Sequence, residues 1–385
     1  MNILYSHRTM SADGQYVHIS ALVGALAARG HRVFIAGPDD FGAPRPRALD
    51  AAAGNNKLRA RLPRVLHEAG ELIYSERAYS KLRAAAKAAS PDMLYERYNL
   101  FYHAGARLAK ARRLPYLLEV NAPLAEERAA HGGLALKGAA RLSERAIWRA
   151  ADKVLPVTGA LARMVEAAGV SPEKIAVVRN GVDAAFLAGT DGGPIRARYG
   201  LEGKTILGFA GFVRPWHGVD RALRYLAARR ERGLHLLIVG DGDAVEALKR
   251  EAETLGLSGC VTITGTVQRE AMPAHVAAFD IALQPAATDY ASPLKLFEYM
   301  ALARAIVAPS SPNIREVLEN GRDAALFPPA DEAAFFQRLD ALAGDAEMRA
   351  RLGAAARAKL LRENLTWAGN AARVEAIAEK LLERR

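Results

Sequence analysis

Residues 286–309 read AATDYASPLKLFEYMALARAIVAP. Ser292-Pro293 is a turn signal. It leads into a short helical stretch that carries Lys295 and Glu298 near its start. Ile306-Val307 is then a β-branched run that re-enters a sheet. Helices that begin at the carboxyl edge of a parallel sheet present unpaired N–H groups to anionic ligands. A carboxylate one turn further on accepts hydrogen bonds from the two hydroxyls of a ribose. The stretch therefore fits a nucleotide, with phosphates at the helix start and sugar hydroxyls at Glu298.

Outward from this stretch, the chain reads as two alternating strand–helix series. The first has strands at Ile3–Tyr5, Val33–Ala36, Met93–Tyr95, Tyr116–Glu119, Val154–Val157 and Ile175–Val178. An amphipathic helix over 16–29 ends at Gly30, a C-cap glycine. Arg179–Asp183 closes the series, and 184–203 reads as a linker with one short helix. The second series has strands at Ile206–Ala210, Leu234–Val239, Val261–Ile263, Ile281–Leu283 and Ile306–Ala308. A last amphipathic helix covers about 366–383. Short apolar strands separated by helices predict α/β domains with parallel sheets covered on both faces.

The 385 residues suffice for two domains of ordinary size. One cysteine, Cys260, excludes a disulfide framework and a cysteine metal cluster and fits a reducing, cytoplasmic setting. The start, Met1–Arg8, reads as a buried strand and not as a leader. No apolar run reaches the roughly 18–20 residues of a membrane span. The formal charge is +11. Within 41–90, ten Lys/Arg stand against four Asp/Glu, a net of +6. Such a region either docks on anionic lipid or a phosphorylated substrate, or is a solvated helix surface. Aromatics are sparse in it and no nucleic-acid motif appears, so nucleic acid is not an expected partner.

The string Ser292-Pro293-Leu294-Lys295-Leu296-Phe297-Glu298 resembles the nucleotide-sugar site of family 4 glycosyltransferases, retaining enzymes of the GT-B fold. The resemblance implies two Rossmann-like, doubly wound parallel-sheet domains facing across a cleft. The acceptor domain would span 1–185, with the C-terminal helix of about 366–385 packing back on it. The nucleotide-sugar domain would span 186–365. The family has a pair of glutamates here: the second aligns with Glu298, while the first falls at Tyr290, next to Asp289.

The resemblance also assigns loops. The segment His7–His18 follows the first strand, where the family places a glycine loop; Gly14 is the donor-facing match, with Gln15 and His18 toward the acceptor. The alternative there is an ordinary Asp-Gly turn. The segment Gly211-Phe212-Val213-Arg214-Pro215-Trp216-His217-Gly218 follows the first strand of the second half. Family members place an Arg and then a Lys here against the donor phosphates. Arg214 matches the Arg, whose planar fork suits phosphate. His217 stands where the Lys would be, and Lys295 is the candidate second cation. A Trp and a His in such a loop are unusual for packing alone. Gly240 and Gly242 match a Gly-x-Gly turn next to the base, and Thr266 lies in the loop that packs on it. Ser292, Pro293 and Leu294 complete the donor set, while Arg214, Lys295 and Glu298 are the expected catalytic residues. At first-domain strand ends, Glu96, Arg97 and Asn121 are candidates for acceptor binding; for Glu96 and Arg97 the alternative is an internal ion pair.

Histidine and carboxylate spacing shows no metal ligand set, and no metal or other cofactor is expected. The resulting expectation is a retaining transferase acting on a nucleoside-diphosphate sugar. Its acceptor would be a saccharide, a lipid-linked saccharide at the inner face of the cytoplasmic membrane, or a soluble small molecule. Rival readings are a nucleotide-sugar epimerase on the same architecture and a catalytically degenerate partner subunit.

Overall fold

A computed structural model of the chain describes residues 1–10, 14–38, 64–130, 133–230 and 233–384. Of the basic 41–90 region, residues 41–63 lie outside the described residues, and Arg64–Ala89 is a helix. The chain divides into two units, Met1–Arg179 with Asn370–Arg385, and Asn180–Gly369.

The first unit holds five strands: β1 (Asn2–Ser6), β2 (Arg32–Ala36), β3 (Met93–Arg97), β4 (Tyr116–Val120) and β5 (Lys153–Pro156). They form a parallel sheet in the order β2-β1-β3-β4-β5. The chain winds one way from β1 to β2 and the other way from β3 onward. The loops that follow β1 and β3 therefore part and leave a crevice at the carboxyl edge. The helix Gly14–Ala28 ends as the sequence predicts, with Gly30 left-handed at φ +87°. The last helix, Trp367–Leu382, contributes Glu375, which accepts from Arg29 Nε at 2.7 Å.

The second unit holds β6 (Thr205–Ala210), β7 (Leu234–Val239), β8 (Val261–Ile263), β9 (Ile281–Leu283), β10 (Ala305–Pro309) and β11 (Ala325–Phe327). All are parallel, in the order β11-β10-β9-β6-β7-β8. This is the doubly wound dinucleotide-fold order, and its switch point lies between β6 and β9. Leu207, Phe209, Leu236, Ile238, Ile281 and Val307 fill one face, and Ile206, Leu237, Ala282, Ile306 and Phe279 the other. Burial on both faces is why β7 and β10 read as near-continuous apolar runs, with His235 the one polar residue.

Two expectations are corrected. Ile175–Val178 is not a sheet strand. It runs along β5, with Ala176 N donating to Val154 O and Val178 N to Pro156 O, and makes a single bridge. Strand β11 was not expected. Its Ala325-Leu326-Phe327 is short and lacks β-branched residues, and it is fixed by pairing with β10.

Candidate active site

In the second unit, the loops after β6 and β9 flank the switch point. The β6 loop leaves the sheet at Gly211, where φ is +115°. Pro215–His217 folds as a single 3-10 turn. His217 Nδ1 accepts from Arg214 N at 3.3 Å, and its ring lies 5.5 Å from Phe209. Burial, with the charges of Lys295 and Arg214 adding, pushes His217 down to about 3. The position where the resemblance puts a second cation therefore holds a neutral imidazole that closes the turn. An imidazole held neutral in this way is not the permanent second cation that the family has at this position.

Lys295 is a second cation beside this loop, its charge acting on His217. It lies in the helix Leu294–Ala301, whose first turn among the described residues has no side-chain cap. Its ammonium sits 3.7 Å from the centroid of the Phe209 ring. Burial lowers Lys295 to about 7, with Glu298 opposing. Glu298 lies one turn further along and is half-buried. Burial raises its carboxyl, while Arg269 and Lys295 pull it back down. Arg269 also pairs with Asp183. Arg214, Lys295 and Glu298 are thus brought to one end of the β6–β9 crevice by two local structures, the 3-10 turn after β6 and the helix after β9.

The helix start is held by two asparagines. Asn180 Nδ2 donates to Ser292 O at 2.6 Å, and Asn180 N lies 3.4 Å from Ser292 Oγ. Asn313 Nδ2 donates to the carbonyls of Thr288 (2.9 Å) and Ala291 (2.6 Å). These bonds fix the turn that carries Asp289 and Tyr290 and leads through Ser292 and Pro293 into Leu294. Asp289 is exposed at its tip.

Gly240 and Gly242 are needed for close backbone approach. A Cβ on Gly240 would lie 2.1 Å from Gly211 O, and one on Gly242 2.3 Å from Val213 O. Val213 N donates to Asp241 O at 2.9 Å across the same contact. Thr264 Oγ1 accepts from Gly240 N at 3.3 Å, which ties in the loop bearing the exposed Thr266. The three loops after β6, β7 and β8 thus brace the segment that presents Arg214.

In the first unit, the candidates gather on Glu119, which sequence reasoning treated only as part of a strand. Glu119 is buried on β4. Its Oε1 accepts from Arg97 Nη1 at 2.6 Å and from Asn121 Nδ2 at 2.5 Å. Its Oε2 accepts from Tyr95 OH at 2.8 Å and lies 3.1 Å from His18 Nε2. Burial alone would push this carboxyl up. His18 and the Arg97 guanidinium more than reverse that and hold it well below the usual range. A carboxylate only accepts, so Asn121 must meet it with its amide nitrogen. Gln15 starts the same helix as His18, which begins at Gly14, and its Oε1 accepts from Thr9 Oγ1 at 3.3 Å.

Glu96 does not join this group. Neighbours in a strand point to opposite faces. Glu96 accepts from Tyr116 OH at 2.6 Å and Ser6 Oγ at 3.0 Å, packed against Gly105 and buried. The internal Glu96–Arg97 ion pair is therefore absent, and Glu96 is not placed to touch a ligand. Burial raises Glu96 to about 7, against the bonds from Tyr116 and Ser6. The folded state then binds this proton more tightly than the unfolded chain does. Stability falls as pH rises from about 4.5 to about 7 and is level above that. The Glu96→Gln variant should lose this slope and gain up to about 3 kcal/mol at mildly alkaline pH. Urea titrations across that pH range check it; parallel wild-type and variant curves would show that Glu96 does not titrate this way.

The missed residues left little local signal. Glu119 is a lone acid in an apolar strand, which is a usable hint. Asn180, Arg269 and Asn313 act through contacts with residues far along the chain.

Residues 12–186 match the family model described as Glycosyltransferase Family 4, and residues 204–345 match Glycosyl transferases group 1. The chain belongs to the family 4 glycosyltransferases. It is 26% identical to the D-inositol 3-phosphate glycosyltransferase of Streptomyces scabiei, over 96% of this chain and 86% of that one. It is 30% identical to the GDP-mannose-dependent alpha-(1-6)-phosphatidylinositol monomannoside mannosyltransferase of Mycolicibacterium smegmatis, over 50% of this chain and 51% of that one. Its fold is that of the Anabaena protein HepE, solved in complex with UDP, with a TM-score of 0.74 at 16% identity, covering 99% and 100% of the two chains. Among the described residues, no helix is long and apolar enough to cross a membrane, and no group of three or more His, Cys, Asp or Glu is placed to hold a metal ion.

Proposed function

We propose that this glycosyltransferase moves a sugar from a nucleoside-diphosphate sugar to an acceptor hydroxyl with retention of anomeric configuration. Its place would be in cell-surface polysaccharide or glycolipid synthesis. One observation carries the reading: Arg214 on the β6 loop and Lys295 on the helix Leu294–Ala301, distant in sequence, both act on the half-buried His217 at the β6–β9 crevice, with Glu298 a turn beyond Lys295. Two cations and an uncapped helix start stabilise negative charge where it develops, on the departing diphosphate. These groups supply the required positive charge, so no metal is invoked. The departing phosphate takes the acceptor proton on the same face as the new bond forms. Glu298 holds the ribose hydroxyls.

For the acceptor, the mannosyltransferase relative is named for a phosphatidylinositol saccharide. By that likeness we take a lipid-linked saccharide, with the basic 41–90 region drawn to an anionic membrane surface at the cytoplasmic face. A soluble acceptor is the alternative. The first unit contributes the Glu119 group, with Asn121, Arg97 and His18 at strand and helix ends.

Thermal shift against UDP, GDP, ADP and dTDP tests the donor half, because a ligand of the folded state raises its melting point. Slow release of sugar with retained configuration from the matching nucleotide sugar supports the transferase. Tyr290, at the position of the family's first glutamate, favours a degenerate subunit as the second reading; nucleotide binding without turnover would establish it. Glu298→Gln should weaken nucleotide binding about tenfold, the loss of a hydrogen bond to a charged acceptor. Calorimetry with unchanged affinity would remove Glu298 from the ribose.

A further inference from the structure

Among the exposed large apolar side chains of the described residues, two are aromatic: Phe212 (41% exposed) and Trp216 (51%). Both lie on the β6 loop, and the Arg214 guanidinium rests over both. Its Cζ is 4.5 Å from the Phe212 ring centroid and 5.1 Å from that of Trp216. Exposing two large rings to water gains nothing for the fold, and a loop at a switch point is where a ligand binds.

The backbone around these rings is rigid. Pro215 fixes its own φ, His217 closes the turn from inside, and Gly240 and Gly242 let the β7 loop lie against Gly211 and Val213. Trp216 and His217 meet edge to face with centroids 6.1 Å apart. A long, exposed arginine otherwise loses rotamer entropy when it grips a ligand. Contact with ring faces orders the side chain beforehand and leaves a guanidinium to make its hydrogen bonds in its own plane. Asp243 stands at that edge, with Oδ2 3.3 Å from Nη1, where a phosphate oxygen would compete with it.

We propose that Phe212 and Trp216 are positioning residues that hold the Arg214 guanidinium in orientation for the donor diphosphate. This rests on the nucleotide-sugar reading above. The rings act through Arg214, so their effect requires it.

The test is calorimetric binding of UDP and of GDP to the full chain as wild type, Phe212→Ala, Trp216→Ala, Arg214→Ala and the double variant Arg214→Ala/Trp216→Ala. Each aromatic variant should bind about two- to fivefold more weakly, the size of an exposed cation–π contact. Trp216→Phe should restore most of the loss. The double variant should bind no more weakly than Arg214→Ala alone, and melting temperatures should stay near wild type because both rings are at the surface. If removing Trp216 costs as much without Arg214 as with it, the rings touch the ligand themselves and the proposal fails. Wild-type affinity in both aromatic variants also overturns it. If the wild type binds neither of these nucleotides, nor ADP nor dTDP, the donor reading falls first and takes this inference with it.

Discussion

Arg214→Ala should slow sugar transfer by about two orders of magnitude or more, the scale of losing one charge-stabilising donor. The loss should appear in kcat more than in KM, because diphosphate charge grows as the glycosidic bond breaks. The neighbours explain why no other group replaces Arg214. His217 is held neutral, and Lys295, lowered to about 7, is only partly charged before an anion arrives. Arg214 is the permanently charged member of the three. Steady-state kinetics on the nucleotide sugar chosen by thermal shift measure the effect. A variant with wild-type turnover would take Arg214 out of the chemistry, while Arg214→Lys should recover part of the rate as a point charge without the fork.

Glu119→Ala should destabilise the first unit by about 3–5 kcal/mol, the cost of breaking a buried pair and leaving its other charge uncompensated. Arg97 is nearly buried and would lose its carboxylate, and Tyr95 OH, His18 and Asn121 would lose an acceptor with it. The sign with pH follows from the lowered carboxyl. Its folded value lies below that of the unfolded chain, so the stabilisation is fully present above about pH 4.5 and is lost as pH falls through the folded value. Hydrogen exchange at the β3 and β4 amides reads the local effect. Exchange unchanged in the variant would mean that Arg97 and Tyr95 find other partners and that Glu119 is not the hub.

Much of the fold was legible because parallel strands buried on both faces write themselves as apolar runs. Thus β7 and β10 stand out, and Gly30 marks a helix end through a conformation that glycine adopts cheaply. Ile175–Val178 misled for the same reason: its β-branched pattern fits a strand, yet it bridges β5 at one point. Strand β11 was invisible because its pairing with β10, not its propensity, makes it a strand. For the site, the Ser292–Glu298 string and the Arg214 loop were readable from residue type and spacing. The pairing of Arg97 with Glu119 was not, and the adjacent Glu96 suggested the wrong partner until strand alternation turned the two to opposite faces.

By itself, the order of residues determined two series of apolar parallel strands alternating with helices, and a cation-bearing loop ahead of a helix with a lysine and a glutamate near its start. Those features are local, and each is written within a dozen or so neighbours. Only the tertiary structure decided which charges survive and what they face. Burial against Phe209 and between two cations makes His217 a neutral brace and Lys295 a weak base, while a ring of donors keeps Glu119 ionised. The physical reason is that desolvation and charge pairing depend on what surrounds a group in space, and the chain brings those neighbours from strands and loops far apart along it.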